Sequence, residues 1–388
     1  MKVIYTSPNR SHHYRYALAL HQAGVLHKFV SGFSRWSPRA AFTEIGDKLV
    51  RSDKIQSIYL ACLKFKAPKA ISTQLAYLAK IEQDNACIKY LDGADIFMYY
   101  NGSGLNASKK AKSKGKIVIV EAVNSHVQYQ ENLMKDEYES LKLQWQPFHD
   151  KEKARRIEEY HIADYILMPS NFVKRSFIEA GFPEHKLIRV PYGFNQLTTN
   201  TDIADNKTQD VFTVLYVGSI SVRKGLRYLI EAFRSLNHPN KKLVIVGPES
   251  NPNGLADIVI PDGVEFTGVL KGEELEAAYK SASVFCLPSI EEGLALVLGE
   301  ALSFGIPIIA TENTGADDII ADGEEGFIVP IRSSKSIAEK LQLLADDRQL
   351  YESMKAKAVK KATGLKGWDE TGRLLIASLN DVFTAKNN

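Results

Sequence analysis

The sequence predicts an α/β protein built from two doubly wound halves. Three observations carry that expectation. Short apolar runs alternate with longer segments of helical spacing along the whole chain, the order that builds parallel sheets covered by helices. A polar stretch, Gln196–Asp210, has no apolar periodicity and divides the chain into halves of similar size. The length, 388 residues, is that of about two ordinary domains.

Taken in order, the first-half strand candidates are Lys2–Thr6, Asp95–Tyr99, Lys116–Glu121, Tyr165–Met168 and Leu187–Val190. Those of the second half are Phe212–Val217, Lys242–Val246, Val264–Thr267, Val284–Leu287, Ile306–Ala310 and Gly326–Val329. They are near-continuous apolar runs, as strands covered on both faces should be. Helical patterns fill most intervals, among them Leu226–Leu236 and a stretch from near Leu294 to Phe304. A last helical pattern carries Trp368, Leu374, Leu375, Leu379 and Phe383.

Composition excludes several classes. At 45% hydrophobic and 24% charged the chain is globular, not disordered or fibrous. No run of eighteen apolar residues exists, so no membrane-spanning helix is expected. The N-terminal segment has no apolar core of the signal-peptide kind. Cys62, Cys87 and Cys286 are far apart and lack a nearby histidine pair, which favours reduced thiols in a cytoplasmic protein over disulfides or zinc. The net charge of +3 hides an asymmetry. Residues 1–200 hold 29 basic against 19 acidic groups; the remainder holds 20 against 27. The basic density peaks at Lys48, Arg51, Lys54, Lys64, Lys66, Lys69 and Lys80, with Ile55, Ile58, Tyr59, Leu60, Leu63 and Phe65 interleaved. Two readings fit: a helix pair on an anionic membrane surface, or a solvated helical face with its apolar side in the core. Nucleic acid is not expected, since no recognition module appears.

Three segments carry candidate chemistry. Gly102-Ser103-Gly104-Leu105-Asn106-Ala107 follows a strand, opens a helix, and stands nineteen residues before Glu121 if counted from Gly102. That spacing suits a dinucleotide site, with the glycines on a pyrophosphate and the acid on a ribose. It equally suits a tight strand-to-helix turn, and it lies deep in its half rather than at the start. Next, Gly218-Ser219-Ile220-Ser221-Val222-Arg223-Lys224-Gly225 joins the first strand of the second half to its helix. A helix start and two cations at a strand's carboxyl end suit a diphosphate; an exposed basic turn is the plainer reading. Finally, Glu292 and Glu300 lie eight residues apart, about 12 Å of helical rise. The N–H groups of Leu294, Ala295, Leu296 and Val297 would face an anion between the two acids. A sugar, a pyrophosphate and a ribose have that layout, since a carboxylate accepts from vicinal hydroxyls. Glu300 sits among Val297, Leu298, Ala301 and Leu302, where an unpartnered carboxylate would be costly.

On these residues the second half resembles the retaining glycosyltransferases of family 4 (glycosyl transferases group 1), which have the GT-B fold. The carriers are Glu292–Glu300 as an E-x7-E element, Arg223-Lys224-Gly225, the Gly305–Thr311 strand, and Asn313 to Ile320 with Asp322–Gly326. The resemblance covers about residues 155–385, and the first 150 weakly. It implies two Rossmann-like domains facing a cleft. Residues 1–195 would bind the acceptor, 205–365 the nucleotide sugar, and a helix in 366–388 would cross back onto the first domain. It implies that Glu300 binds the ribose and Glu292 the donor sugar. Arg223 and Lys224 would neutralise the leaving diphosphate beside Gly218 and Ser219, and the amides from Leu294 to Val297 would contact it. Val269 and Leu270 would meet the base, and His126 the donor sugar, although a histidine there also fits a structural role. Two departures stand out: Ser219 replaces a common arginine and Ala295 a common glycine. Pro8 to His13 replaces the usual glycine-rich loop and is placed to face the acceptor.

The expected activity is therefore hexosyl transfer, with retention, from a UDP-, GDP- or ADP-sugar to a glycan or lipid-linked acceptor in surface polysaccharide or glycolipid synthesis. No D-x-D occurs, so no metal and no other cofactor is expected. Two alternatives stand beside it: an NAD-linked oxidoreductase using Gly102–Ala107, and a non-catalytic sugar-nucleotide binder. The expected location is cytoplasmic, with the inner face of the membrane as the docking surface if residues 48–80 bind lipid.

Overall fold

The computed structural model describes residues 1–37, 39–194, 211–249, 252–365 and 367–387. The expected linker, 196–210, lies outside the described residues. The first half holds β1 (Val3–Ser7), β2 (Leu26–Ser31), β3 (Leu49–Arg51), β4 (Ile96–Tyr100), β5 (Ile117–Glu121), β6 (Tyr165–Met168) and β7 (Leu187–Arg189). The second holds β8 (Phe212–Val217), β9 (Lys241–Val246), β10 (Val264–Gly268), β11 (Val284–Leu287), β12 (Ile308–Thr311) and β13 (Gly326–Val329). Between and after them run α1 (His13–Gln22), α2 (Lys54–Lys64), α3 (Lys69–Ile88), α4 (Leu105–Ser113), α5 (Val127–Ser140), α6 (Asp150–Ile162), α7 (Asn171–Glu179), α8 (Leu226–Ser235), α9 (Glu273–Lys280), α10 (Leu296–Ser303), α11 (Ser334–Asp346), α12 (Arg348–Thr363) and α13 (Trp368–Asn387).

The strands form two parallel sheets, ordered β3-β2-β1-β4-β5-β6-β7 and β10-β9-β8-β11-β12-β13. Both are Rossmann-like, and each reverses its winding beside its first strand. There the carboxyl ends of the strands open a crevice. Every residue of β1, β5, β11 and β12 is buried, because helices cover both faces. Helix α8 shows how the covering works: Leu226, Leu229, Ile230 and Phe233 recur at helical spacing and are all buried. Two strands went unpredicted. In β2 the pair His27-Lys28 interrupts the apolar run, and β3 is three half-buried residues at the sheet edge. Cys87 and Cys286 are buried and Cys62 partly so, all as free thiols.

Helix α13 lies against α1, as the GT-B architecture requires. A Cβ on Gly372 would stand 2.7 Å from that of Ala19. Leu375, Leu379 and Val382 are its buried apolar side chains, whereas Leu374 faces out. The outgoing and returning crossings meet: a Cβ on Gly193 would be 2.5 Å from the Trp368 nitrogen. Thr371 also donates to the Pro191 carbonyl at 3.0 Å. Polar straps join the halves elsewhere. Glu137 of α5 accepts from Arg332 (2.6 Å) and Tyr228 (2.9 Å), while Asp317 and Asp318 receive Arg175 (2.6 Å) and Arg189 (2.5 Å).

Candidate active site

The crevice floor in the second half is made by glycines. Gly218, Gly247 and Gly268 end or follow β8, β9 and β10. Gly218 donates to the Val246 carbonyl at 2.9 Å and Gly247 to the Gly268 carbonyl at 2.7 Å. A Cβ on Gly247 would stand 2.0 Å from the Gly218 oxygen, so the strand tips approach to backbone distance. The expectation included Gly218 but not the other two, which carry no charge or spacing signal. Val269 and Leu270 follow Gly268 on the same rim. Val269 is 55% exposed at this edge. Ser219 lies partly exposed beside Gly218, its carbonyl bonded by the Tyr216 hydroxyl at 2.8 Å.

The cationic turn is one 3₁₀ turn, Val222–Lys224, closed by Gly225 at φ 62°. A Cβ on Gly225 would meet the Pro288 carbonyl oxygen at 2.1 Å, so only glycine fits there. Ile290 donates to the Arg223 carbonyl at 2.8 Å, which locks the turn to the acid loop. As a result Lys224 bonds Glu292, and the Arg223 guanidinium reaches Glu291 at 3.1 Å and Glu292 at 3.8 Å. The two expected cations and the first expected acid are thus together. Burial would raise the Glu292 carboxyl, but Lys224 and Arg223 outweigh it and hold the group below the usual carboxylate range.

Glu300 lies on α10, apart from the cations. It is partly buried and accepts from the Tyr279 hydroxyl at 2.9 Å, and Tyr279 stacks on Phe304 at 5.1 Å. Burial raises the Glu300 carboxyl, only partly offset by that hydrogen bond. Between the acids the expectation needs correction. Helix α10 starts at Leu296, not near Leu294, and the Ala295 N–H is already bonded to the Thr314 carbonyl at 3.1 Å. The reason is the neighbouring loop: Asn313 and Thr314 accept from Glu292 and Ala295 and stitch the acid loop down. Leu296 and Val297, first in the helix, keep N–H groups with no carbonyl one turn back. Among the described residues the Leu294 N–H has no backbone partner either.

His126 is a second correction. It caps α5, and its ring lies among Tyr160, Phe177 and Phe182 at 5.1, 5.2 and 5.7 Å. It faces the first-domain interior rather than the cleft. Burial, with His161 nearby, lowers its pKa to about 4. The same loop reaches the second half through Ser125 instead. Ser125 donates from Oγ (2.8 Å) and N (3.1 Å) to Glu291 Oε1, and Gln130 donates to Oε2 at 2.8 Å. Glu291 is fully buried and was not singled out in the sequence. Its signal was present as the doubled acid Glu291-Glu292 in an apolar frame, where one of two adjacent carboxylates must find buried partners.

The dinucleotide alternative is overturned by occupancy. Gly102 and Gly104 donate to the Glu159 carboxylate, the latter at 3.0 Å, and Asn106 and Ala107 at the start of α4 donate to Asp84 at 2.7 and 2.8 Å. Arg155 bridges these two acids. The chain's own carboxylates fill the places a pyrophosphate would take. Glu121 is likewise engaged, by Tyr5 (2.6 Å), His12 (2.5 Å) and His13 (3.2 Å). The two histidines of the Pro8–His13 loop therefore point inward, against their expected place before an acceptor. Among the described residues His12, His13 and Glu121 are also the one group close enough to share a metal ion, and they already satisfy one another.

With this geometry in hand, comparison with known proteins is informative. Residues 199–361 match the family described as glycosyl transferases group 1. A sulfoquinovosyl transferase of Arabidopsis thaliana is 29% identical over 221 residues, covering 54% of this chain and 43% of that protein. The chain thus spans less than half of that relative's length. Among solved structures, sucrose-phosphate synthase of Thermosynechococcus elongatus superposes with a TM-score of 0.69 at 18% identity, covering 99% of this chain and 100% of the other. An Anabaena protein, HepE, solved with UDP-glucose, superposes at 0.67 and 15% identity over 98% and 100% of the two chains. Residues 199–361 are thus similar to the glycosyl transferases group 1 family, and the chain as a whole has the GT-B fold.

Proposed function

We propose that this protein transfers a hexosyl group, with retention and without a metal, from a nucleoside-diphosphate sugar to a sugar or lipid-linked acceptor in surface polysaccharide or glycolipid synthesis. The observation that carries the reading is the cluster of Lys224, Arg223 and Glu292 at the crevice between the halves. Glycine tips give a diphosphate close access to backbone there. Lys224 and Arg223 would pass from Glu292 to the phosphates, and Glu292 would then accept hydroxyls of the donor sugar. Glu300, beyond the first turn of α10, would accept from the ribose. In the reaction the anomeric C–O bond breaks with its electron pair going to the phosphate. The acceptor oxygen bonds to the same face of that carbon, and its proton passes to the departing phosphate. The cations stabilise charge that grows as this happens.

The test is thermal shift with UDP-, GDP-, ADP- and CDP-sugars, followed by NMR of the anomeric product. One nucleotide class should stabilise the protein, and the product anomer should match the donor. Lys224→Ala should lower turnover about 10²- to 10³-fold. An inverted product overturns the stereochemistry. Unchanged turnover in Lys224→Ala and Glu292→Gln overturns the site, and sugar-nucleotide binding without transfer to any acceptor points to a non-catalytic binder.

The basic segment supports a membrane site for this activity. Helix α2 has no buried residue, and Ile58, Leu63 and Phe65 are exposed beside Lys54, Lys64, Lys66 and Lys69. Apolar groups ringed by lysines suit an anionic leaflet. No helix among the described residues is long and apolar enough to cross a membrane.

A further inference from the structure

A cavity of about 400 Å³ opens on the first-domain side of the cleft and ends at Arg223. Its aromatic wall comes from the end of α5 and the segment that follows it: Trp145 meets Tyr138 and Phe148 edge to face, at 5.2 and 6.1 Å. Facing it on α6 are Glu152 and Arg156. Glu152 Oε1 receives both Lys80, at 2.5 Å, and Arg156. Burial would raise this carboxyl, yet Lys80 and Arg156 outweigh it and hold it at about 2. It therefore stays an anion at every working pH. Such a group accepts hydrogen bonds and is too weak a base to take a proton.

We propose that this cavity is the acceptor subsite and that it takes a pyranose ring of a glycan, not the acyl part of a lipid. The inference rests on the sugar-transfer reading and narrows its acceptor. A pyranose has an apolar C–H face for the Trp145 wall and vicinal hydroxyls for a fixed carboxylate. An acyl chain would bury Glu152 and Arg156 against hydrocarbon, where the ion pair loses its remaining water without any return. Lys153 pairs with Glu131 at 2.6 Å, while Lys80 and Arg156 share the one carboxylate of Glu152, so the cavity keeps a net positive charge that suits a hydroxyl-rich ring and not hydrocarbon. At the Arg223 end the acceptor hydroxyl would lie next to the donor phosphate that receives its proton.

The test uses the whole protein and saturation-transfer NMR with methyl glucoside, galactoside, mannoside and N-acetylglucosaminide. Dihexanoylphosphatidylcholine, below its micelle concentration, supplies the acyl probe. At least one glycoside should give saturable ring-proton signals, weakened tenfold or more in Trp145→Ala and in Glu152→Gln. The thermal shift with the stabilising nucleotide should stay as in the unsubstituted protein. Trp145→Phe, which keeps an aromatic wall, should retain part of the binding and serves if the alanine variant misfolds. Glycoside binding that ignores all three substitutions overturns the assignment. So does acyl binding that depends on Trp145, or no saturable glycoside at all. Glycoside binding does not need a donor, so failure of every nucleotide to bind counts against the transfer reading alone.

Discussion

Lys224 and Glu292 hold one another at the crevice, and the first prediction at this scale follows from that pairing. Replacing Glu292 by Gln should weaken sugar-nucleotide binding more than binding of the bare nucleoside diphosphate, measured by calorimetry, because the proposed place of the acid is at the sugar end. His126 gives a pH prediction. Its folded pKa lies near 4, below the ordinary histidine value of about 6.5. Between those values the unfolded chain binds a proton that the folded one refuses, so stability falls as pH drops through that window. His126→Phe fills the same aromatic cage and should remove about 2 kcal/mol of that loss at pH 5, seen as a smaller drop in Tm from pH 7 to 5. Turnover should stay within twofold, which a histidine touching the donor would not allow. Glu292, Arg223 and Lys224 were legible because charge beside a glycine turn is visible in a sequence. The place of His126 was not, since Tyr160, Phe177 and Phe182 come from distant segments.

At the level of elements, two loops hold the site: the acid loop before α10 and the loop after β5. They touch at backbone distance. A Cβ on Gly293 would lie 1.7 Å from the Val123 carbonyl oxygen, while the Gly293 carbonyl accepts from Ser170. Gly293→Ala should push these loops apart. The expected result is near-native circular dichroism, a larger radius of gyration by X-ray scattering, and turnover reduced at least tenfold. The strands of both sheet centres could be read from apolar runs alone, because both faces are buried. The start of α10 could not: it depends on Asn313 and Thr314 drawing the preceding residues into a non-helical path. Glu291 escaped for a similar reason. Ser125 and Gln130 lie more than 160 residues away, and only folding brings them to it.

For the whole molecule, charge and apolar exposure divide the labour. The first half carries the basic excess and the exposed α2 face; the second carries the glycine floor and the acids. A triple substitution, Lys64→Glu, Lys66→Glu and Phe65→Ser, should cut sedimentation with phosphatidylglycerol vesicles at least tenfold at 0.1 M salt. Neutral vesicles should bind little of either form, and turnover on a water-soluble acceptor should be unaffected. Equal vesicle binding by both forms would show that this face is merely solvated. Besides the polar straps, the two halves meet where Gly193, near the end of the first, rests on Trp368 at the start of the returning helix. A close contact of this kind would act as a pivot for the two lobes. A swing about it would keep the contact, whereas sliding or twisting would part Gly193 from Trp368. A cleft that opened along that arc would bring the same faces back into register on closing.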